Sequence, residues 1–350
     1  PKASAVGYDW NNDEAEVTAA AANGMLISNH SYGFAVRDED NQPLLPAYYF
    51  GGYTNESRTW DNIAHNAPYY LMVVAAGNEG NDDTVNPDPL NEDSTFDKLT
   101  GHSTSKNNLV IANGNDATIN TDGSLISVTV NTSSSEGPTD DFRVKPDLMG
   151  NGYRLYSTFE TTDSAYNSIT GTSMASPNVA GSLLLLQQHY KETYGNFMRA
   201  STLKGLALHT ADDVAAEGPD AASGWGLMNS KKAAETVTKK DFQSIISEIE
   251  LMNESTYTVV VKSDGIGPLL ASISWTDLPG VANTGVVNDP TPVLVQDIDI
   301  KVTNSSGGVI TTFLPWKLTS VNTNEKGDNI VDPYERVDIE NASGEYTITI

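Results

Sequence analysis

The feature that most constrains the fold is the run of seven residues Gly171–Pro177, all of them small except Met174, which is followed at once by an apolar stretch. That stretch, Asn178–Tyr190, is rich in Ala, Gly and Leu and has no helix breaker after Gly181, which predicts a buried helix. Pro177 suits the first turn of this helix, since an N–H there would have no partner. Ser173 would then lie beside unpaired main-chain N–H groups, at the positive end of the helix dipole.

A serine hydroxyl in that position is a candidate nucleophile, because the N–H groups around it favour negative charge that develops during attack. A capping serine, with small neighbours that allow close helix packing, explains the same pattern equally well. The residues alone leave both interpretations open.

Two further segments bear on this choice. The apolar strand Leu71–Gly80 ends in A-A-G-N-E-G, and Ile27–Gly33 reads I-S-N-H-S-Y-G. Together with G-T-S-M-A-S-P at Gly171–Pro177, they resemble three motifs of the subtilisin-like serine proteases (subtilases), in the order in which the family has them. Ser133–Asp147 resembles a fourth family segment, although it continues M-G-N-G where the family usually has A-P-G.

The resemblance implies a role for each motif. Ser173 matches the nucleophile, and Asn78 matches the side-chain donor of the oxyanion hole. The strand segment matches the wall that binds substrate as an added strand, and the residues before Asn78 match the lining of the adjacent pocket. These two groups are Ser31, Tyr32 and Gly33, and Ala75, Ala76 and Gly77.

The family's general base and its orienting acid have no counterpart in the sequence. Their usual contexts are H-G-T-H and D-[ST]-G, and none of the five histidines has the former. Pro1–Ser4 resembles the point just after the family's histidine helix. We therefore expect the chain to begin downstream of both residues and to be inactive alone. A non-catalytic binding or surface protein on the same scaffold is the alternative.

Two regions are predicted. Residues 1–238 alternate strands and helices, which indicates an α/β fold with a parallel sheet flanked by helices. Residues 239–350 form β-branched, alternating segments separated by Gly, Pro, Asn and Asp, which predicts an all-β antiparallel sandwich. This second region resembles the jelly-roll-like domains appended to some extracellular bacterial subtilases, and it could instead be a carbohydrate- or protein-binding module.

Carboxylates suggest calcium in one place. Asp297 and Asp299 lie two apart in a predicted strand, so their side chains would share a face. With Asp277 or Asp289 they could hold a structural calcium ion, although a solvent-facing charged edge explains them almost as well. The acidic segment Asn81–Asp97 matches no calcium-loop template and is predicted to be a solvated loop. The chemistry itself requires no cofactor.

Composition narrows the partners. The 350 residues carry a net charge of −26, which argues against nucleic acid or an anionic membrane and leaves protein or peptide substrates. No apolar run is long enough to span a bilayer. The sequence has no cysteine, which excludes disulfides and thiol chemistry. We expect a secreted or cell-surface protein, and the sequence does not indicate its oligomeric state.

Overall fold

The computed structural model describes residues 5–350. Its α-helices are α1 Asp13–Ala22, α2 Asn55–Asn66, α3 Thr172–Tyr194, α4 Ala200–His209 and α5 Ser230–Thr238. Single 3-10 turns occupy Ala47–Tyr49, Leu90–Glu92 and Gly101–Thr104. The strands are β1 Ile27–His30, β2 Leu71–Ala75, β3 Leu109–Gly114, β4 Thr118–Ile119, β5 Leu125–Ser127, β6 Leu148–Asn151, β7 Leu155–Thr158, β8 Tyr166–Ile169, β9 Thr258–Asp264, β10 Leu269–Ser274, β11 Lys301–Ser306, β12 Val309–Phe313, β13 Trp316–Ser320, β14 Thr323–Lys326, β15 Tyr334–Ile339 and β16 Ser343–Thr349.

A parallel sheet in the order β1-β2-β3-β6 forms the centre of the N-terminal region. Every residue of β2 is buried, and successive side chains of a strand point to opposite faces. Leu71 and Val73 pack with α3, whereas Met72 and Val74 pack with α1 and α2. A strand that is apolar on both faces needs helices on both sides, and the predicted α/β class is confirmed.

Helix α3 begins earlier than the sequence predicts. It starts at Thr172, so Pro177 lies in the second turn rather than the first. A proline has no N–H to donate to the carbonyl four residues back, which here belongs to Ser173. The hydroxyl of Ser31 donates to that carbonyl instead, at 2.9 Å. The prediction of a first-turn proline is therefore wrong, because a residue outside the helix replaces the missing donor.

The C-terminal region is built from antiparallel pairs. One sheet has the order β12-β11-β16-β9, and β10 pairs with β15. Both groups contribute to one hydrophobic cluster, with Val302 from β11, Val337 from β15 and Tyr346 from β16. The all-β prediction is confirmed. The sandwich description and the boundary between residues 238 and 239 stay predictions.

The two regions are joined through shared packing. Trp316 and Tyr334 of the C-terminal region belong to the same hydrophobic cluster as α3. The ring of Tyr334 meets the ring of Trp225 edge-on, with centroids 4.9 Å apart. Apolar surface from one region therefore completes the core of the other.

A buried polar group also crosses between the regions. Lys106 Nζ lies 3.0 Å from Asp277 Oδ2 and 3.7 Å from Asp61 Oδ2, and all three side chains are fully buried. Tyr53 donates its hydroxyl proton to Asp61 at 2.7 Å, and Asn107 exchanges two hydrogen bonds of 2.9 Å with the main chain of Asp277. We call these five residues the polar seam.

One predicted strand differs from the structure, and the segment Pro1–Ser4 lies outside the described residues. The strand predicted to contain Asp297 and Asp299 begins only at Lys301. One reason is that the main-chain N–H of Ile300 donates to the carboxylate of Glu335 at 2.8 Å, so it is not available to a neighbouring strand.

Candidate active site

The three predicted motif segments meet at one edge of the parallel sheet. Ser31 directly follows β1, and Asn78 comes three residues after β2. Parallel strands end at the same edge, where α/β proteins place their sites. Ser173 joins them from the start of α3, since the Ser31 hydroxyl reaches its carbonyl and Asn78 contacts its neighbour Thr172.

Asn78 is held at one end of its side-chain amide. Its Oδ1 accepts the main-chain N–H of Thr172 at 3.0 Å, and the Thr172 hydroxyl lies 3.1 Å from the same oxygen. The amide oxygen and nitrogen point in different directions. Among residues 5–350 no acceptor takes a hydrogen bond from Nδ2, and the side chain is exposed. The nitrogen is thus free to donate to a ligand beside Ser173.

Ser173 is half-buried at the second position of α3. Within the described chain, its Oγ has one hydrogen-bond partner, the Ser31 carbonyl at 3.4 Å. This is long for a hydroxyl donor. The hydroxyl is therefore weakly held, at a helix end whose free N–H groups and dipole favour an anion.

The predicted substrate wall is held in place by hydrogen bonds to neighbouring elements. Gly33 is exposed. The Tyr32 hydroxyl donates to Asp13 Oδ2 at 2.6 Å, and its carbonyl accepts Nε2–H of His102 at 2.9 Å. Burial and the neighbouring Asp13 carboxylate raise the pKa of Tyr32. The Tyr32 side chain therefore anchors the end of β1 to α1.

The predicted pocket lining consists of small residues in tight surroundings. Ala75 and Ala76 are buried, and the Ala75 carbonyl accepts the Ser103 hydroxyl at 3.3 Å. Gly77 has φ +117°, and a Cβ there would lie 2.6 Å from Ser135 Oγ. A larger residue at position 77 would therefore displace the main chain that leads to Asn78.

His30 lies near these segments, but its side chain is on the face of the sheet opposite α3. Ser176 of α3 donates to Asn29 at 2.7 Å, so the side chain of Asn29 faces α3. Because strand side chains alternate, His30 faces the opposite layer, where its ring packs against Trp60. Burial lowers the pKa of His30 to about 3, and the imidazole stays neutral.

The remaining histidines are engaged elsewhere or lie apart. His102 packs against Tyr32 on the same layer as His30, and His65 lies near the end of α2. His189 and His209 are 2.9 Å from the hydroxyls of Thr238 and Ser272. In residues 5–350 no imidazole makes a hydrogen bond to the Ser173 hydroxyl.

Sequence reasoning assigned no role to Lys145 and Asp147, the charged residues at the end of the segment Ser133–Asp147. Asp147 lies 2.9 Å from Lys204 Nζ and 2.5 Å from Lys145 Nζ, and it accepts the N–H of Val110 at 2.7 Å. Burial lowers the pKa of Lys145 to about 7. This buried group of charges connects β3 to the segment that leads into β6. The order of residues around Lys145 and Asp147 did not indicate these contacts.

The carboxylates predicted to bind calcium do not assemble as a set of three. Asp277 belongs to the polar seam, and its carboxylate also accepts the N–H groups of Val295 and Gln296 at 2.9 Å each. Asp297 and Asp299 lie before β11 rather than in a strand. No group of three or more His, Cys, Asp or Glu side chains arranged to hold a metal is found among residues 5–350.

The site contains the parts that a serine peptidase uses, namely a serine at a helix start, an amide donor and an exposed strand end. Comparison with known families agrees. Residues 5–226 match the family model described as the Subtilase family. The chain belongs to the subtilase family.

Individual relatives match over shorter segments. The C5a peptidase of Streptococcus pyogenes is 33% identical over 146 residues, which cover 37% of this chain and 12% of that protein. The PII-type proteinase of Lactococcus lactis subsp. cremoris is 33% identical over 91 residues, or 23% of this chain and 5% of that protein. The structure of the Patellamide maturation protease PatA, at 18% identity, covers 65% of this chain and 68% of that chain with a TM-score of 0.46. The chain therefore spans only a small part of the C5a peptidase and of the PII-type proteinase.

Proposed function

We propose that the protein is a serine endopeptidase that hydrolyses peptide bonds through an acyl-enzyme on Ser173. The observation that carries this proposal is the hydrogen bond from Thr172 N–H to Asn78 Oδ1. It fixes the free end of the Asn78 amide beside the residue that follows Thr172, which is Ser173. An amide held in that way is suited to bind the oxygen of a tetrahedral intermediate.

The proposed reaction follows from these positions. Ser173 Oγ attacks the carbonyl carbon of the scissile bond, and the carbonyl oxygen takes the negative charge. Asn78 Nδ2 and the main-chain N–H of Ser173 donate to that oxygen. A general base takes the proton of the Ser173 hydroxyl and gives it to the leaving amine as the C–N bond breaks, which leaves an ester on Ser173 that water then hydrolyses.

A general base is required, because an unassisted serine hydroxyl is a weak nucleophile at neutral pH. We propose that the histidine and its orienting aspartate come from sequence outside residues 1–350. The positions of His30 on the far face of the sheet, and of His189 and His209 beside Thr238 and Ser272, support this assignment.

The proposed substrates are proteins or peptides that add as a strand beside Ser31–Gly33. Small residues at Ala75–Gly77 suit an apolar substrate side chain. The charge of −26 suits a secreted or cell-surface protein and opposes binding to nucleic acid. Among residues 5–350 no helix is long and apolar enough to cross a bilayer.

A fluorophosphonate probe tests this proposal, because it reacts only with an activated serine. We expect labelling of Ser173 in a chain that also carries the proposed histidine and aspartate, and none in residues 1–350 alone. Ser173→Ala should abolish labelling, and Ser182→Ala on the same helix is the matched control. Absence of labelling when both proposed residues are present would favour the non-catalytic alternative.

We also propose a structural calcium ion at Asp297 and Asp299. Burial, together with the neighbouring carboxylates of Asp328 and Asp297, raises the pKa of Asp299 to about 6. Nearby Glu335 is fully buried and its Oε1 has no hydrogen-bond partner in the described chain. A bound cation would offset the electrostatic repulsion among these carboxylates.

Thermal melts in calcium and in chelator test the second proposal, since a ligand that binds only the folded state raises the melting temperature. The double variant Asp297→Asn with Asp299→Asn should lose part of the calcium-induced shift. A charge-matched control on the exposed β7–β8 hairpin is Glu160→Gln with Asp163→Asn. An equal shift in both variants would leave Asp297 and Asp299 as surface charges.

A further inference from the structure

Two buried carboxylates lie together without partners. Asp97 is fully buried and Asp140 is 3% exposed. Within residues 5–350, Asp97 Oδ1 and both carboxylate oxygens of Asp140 have no hydrogen-bond partner. A buried carboxylate without a partner is costly. The acidic segment that the sequence predicts to be solvated therefore ends in a carboxylate that water does not reach.

The free oxygens converge on Gly51. A Cβ added to Gly51 would stand 2.4 Å from Oδ1 of Asp97 and 2.4 Å from Oδ1 of Asp140. The two oxygens are thus at most twice that distance apart. Calcium binds each oxygen at about 2.3–2.6 Å, so two oxygens of one ion can be separated by about 5 Å at most. The spacing suits a shared ion.

Local hydrogen bonds aim the carboxylate of Asp97. Its Oδ2 accepts Nδ2–H of Asn86 at 2.8 Å and the main-chain N–H of Leu90 at 3.1 Å. These bonds fix one oxygen and leave Oδ1 directed toward Asp140. Gly51 has φ +66°, so its backbone conformation also favours glycine.

The basic side chain of Arg143 is held mainly by other groups, and its Nη2 has no hydrogen-bond partner within residues 5–350. Arg143 Nε lies 3.0 Å from both carboxylate oxygens of Asp141, and Nη1 donates to the Thr104 carbonyl at 2.7 Å. Within the described chain, no basic side chain forms an ion pair with Asp97 or Asp140, and the carboxylate that pairs with Arg143 is that of Asp141.

Space for an ion and its water is present next to the pair. Gly51 and Asp140 line a cavity of about 210 Å³, whose opposite wall is formed by the C-terminal segment 281–295. Asp140 therefore lies both beside Asp97 and on the wall of the cavity. Main-chain carbonyls and water can complete the coordination of a hard cation that two carboxylates begin.

We propose that Asp97 and Asp140 bind a calcium ion between the N-terminal region and the segment 281–295. Calcium is the ion of choice because it accepts six to eight oxygens in irregular arrangements, whereas magnesium demands a near-ideal octahedron. Only two carboxylates contribute, so we expect a Kd of about 10⁻⁴ to 10⁻³ M, as in extracellular calcium modules. This site is separate from the one at Asp297 and Asp299.

Calorimetric titration of the full chain with calcium chloride tests the proposal. The isosteric changes Asp97→Asn and Asp140→Asn should each weaken one binding component at least about tenfold, since affinity follows ligand charge. The double variant at Asp297 and Asp299 should keep that component. Both single variants remove a buried charge, so in chelator they should melt at or above the wild-type temperature, and calcium should shift their melting less than it shifts the wild type.

Two results would overturn the proposal. One is an unchanged isotherm in both Asp97→Asn and Asp140→Asn. The other is a rise in melting temperature that is equal with and without calcium, which would mean that the two carboxyls only repel each other or share a proton. A crystal structure of the wild-type chain grown in calcium gives an answer that needs no variant. We expect an ion within about 2.6 Å of an oxygen of both residues, and its absence would also refute the site.

Discussion

Asn78 and Thr172 form the contact on which the proposed chemistry depends most. The Thr172 N–H belongs to the first turn of α3, where main-chain donors have no partner within the helix. By donating to Asn78 Oδ1, it satisfies one of these donors and orients the amide at the same time. The exposed position of Asn78 is therefore compatible with a fixed geometry.

Replacement of this amide should affect turnover far more than binding. In a chain that carries the proposed histidine and aspartate, we expect Asn78→Leu to lower kcat about 100-fold or more with a small change in KM, the size known for a side-chain oxyanion donor in this family. Steady-state kinetics on a peptide substrate measure both constants. Asn62→Leu, on the exposed face of α2, is the control, and an unchanged kcat in Asn78→Leu would remove Asn78 from the site.

Buried neutral histidines should make the fold sensitive to acid. The pKa of His30 is lowered to about 3 and that of His209 to about 4, in both cases mainly by burial. Below about pH 6.5 the unfolded chain takes up protons that the folded chain does not bind, so stability falls as pH falls. For His30 this loss should extend from about pH 6.5 down to pH 3.

Urea unfolding between pH 7 and pH 4 measures this effect. His30→Gln should show a smaller loss of stability over that range than the wild type, because glutamine does not titrate. His65→Gln, near the end of α2, is the matched control for loss of a histidine. Equal pH dependence in His30→Gln and the wild type would contradict the proposed origin of the acid sensitivity.

At the scale of elements, the start of α3 depends on β1. Pro177 leaves the Ser173 carbonyl without its helical donor, and the Ser31 hydroxyl takes that place. The same pair therefore connects the proposed substrate wall to the proposed nucleophile. A shift of Ser31 would therefore displace the start of α3, and the reverse, because one hydrogen bond connects them.

A double-mutant cycle tests this link. Ser31→Ala should lower the free energy of unfolding by about 1–3 kcal/mol, because it leaves the Ser173 carbonyl unpaired. Pro177→Ala restores an N–H four residues after Ser173, so the loss from Ser31→Ala should be smaller in that background. Chemical denaturation measures all four proteins. Strictly additive effects would show that the serine and the proline are independent.

Local patterns predicted what depends on local residues and missed what depends on distant ones. The motifs located Ser173 and Asn78 because strand, turn and helix starts are encoded by neighbouring residues. The start of α3 also depends on Ser31, which is 142 residues away from Ser173. Likewise, nothing near Asp97 in sequence shows that Gly51 and Asp140 bury it.

The strand predicted around Asp299 is absent from the structure for the same kind of reason. Alternation from Asp297 to Val302 is typical of a strand, but Glu335 takes the N–H of Ile300. A side chain 35 residues later thus competes with strand pairing. Composition and periodicity carry no information about such a contact.

At the scale of the whole molecule, the polar seam sets the relation between the two regions. Lys106 Nζ also donates to the carbonyls of Leu278 and Val293, at 2.7 and 2.9 Å. The side chains of Lys106, Asp61 and Asp277 are all shielded from solvent. Geometry is therefore decisive, since a buried charge is tolerated only when its partners are in place.

Removal of the lysine should destabilise the protein strongly. We expect Lys106→Met to cost about 3–5 kcal/mol of unfolding free energy, because it leaves the carboxylates of Asp61 and Asp277 buried without their cation. Lys232→Met, which breaks the more exposed pair with Asp212 at 3.2 Å, should cost about 1 kcal/mol at most. Denaturant titrations give both values, and similar losses would argue against a structural role for the seam.

The polar seam also limits which truncations and domain exchanges the protein can tolerate. A product that ends at residue 238 would lose Asp277, the closest partner of Lys106, and Tyr334, which packs on Trp225. A foreign appended domain would have to supply a carboxylate and an aromatic ring in the same places. The C-terminal region is thus not an interchangeable module, and stably folded chimeras should arise only when both halves of the seam are exchanged together.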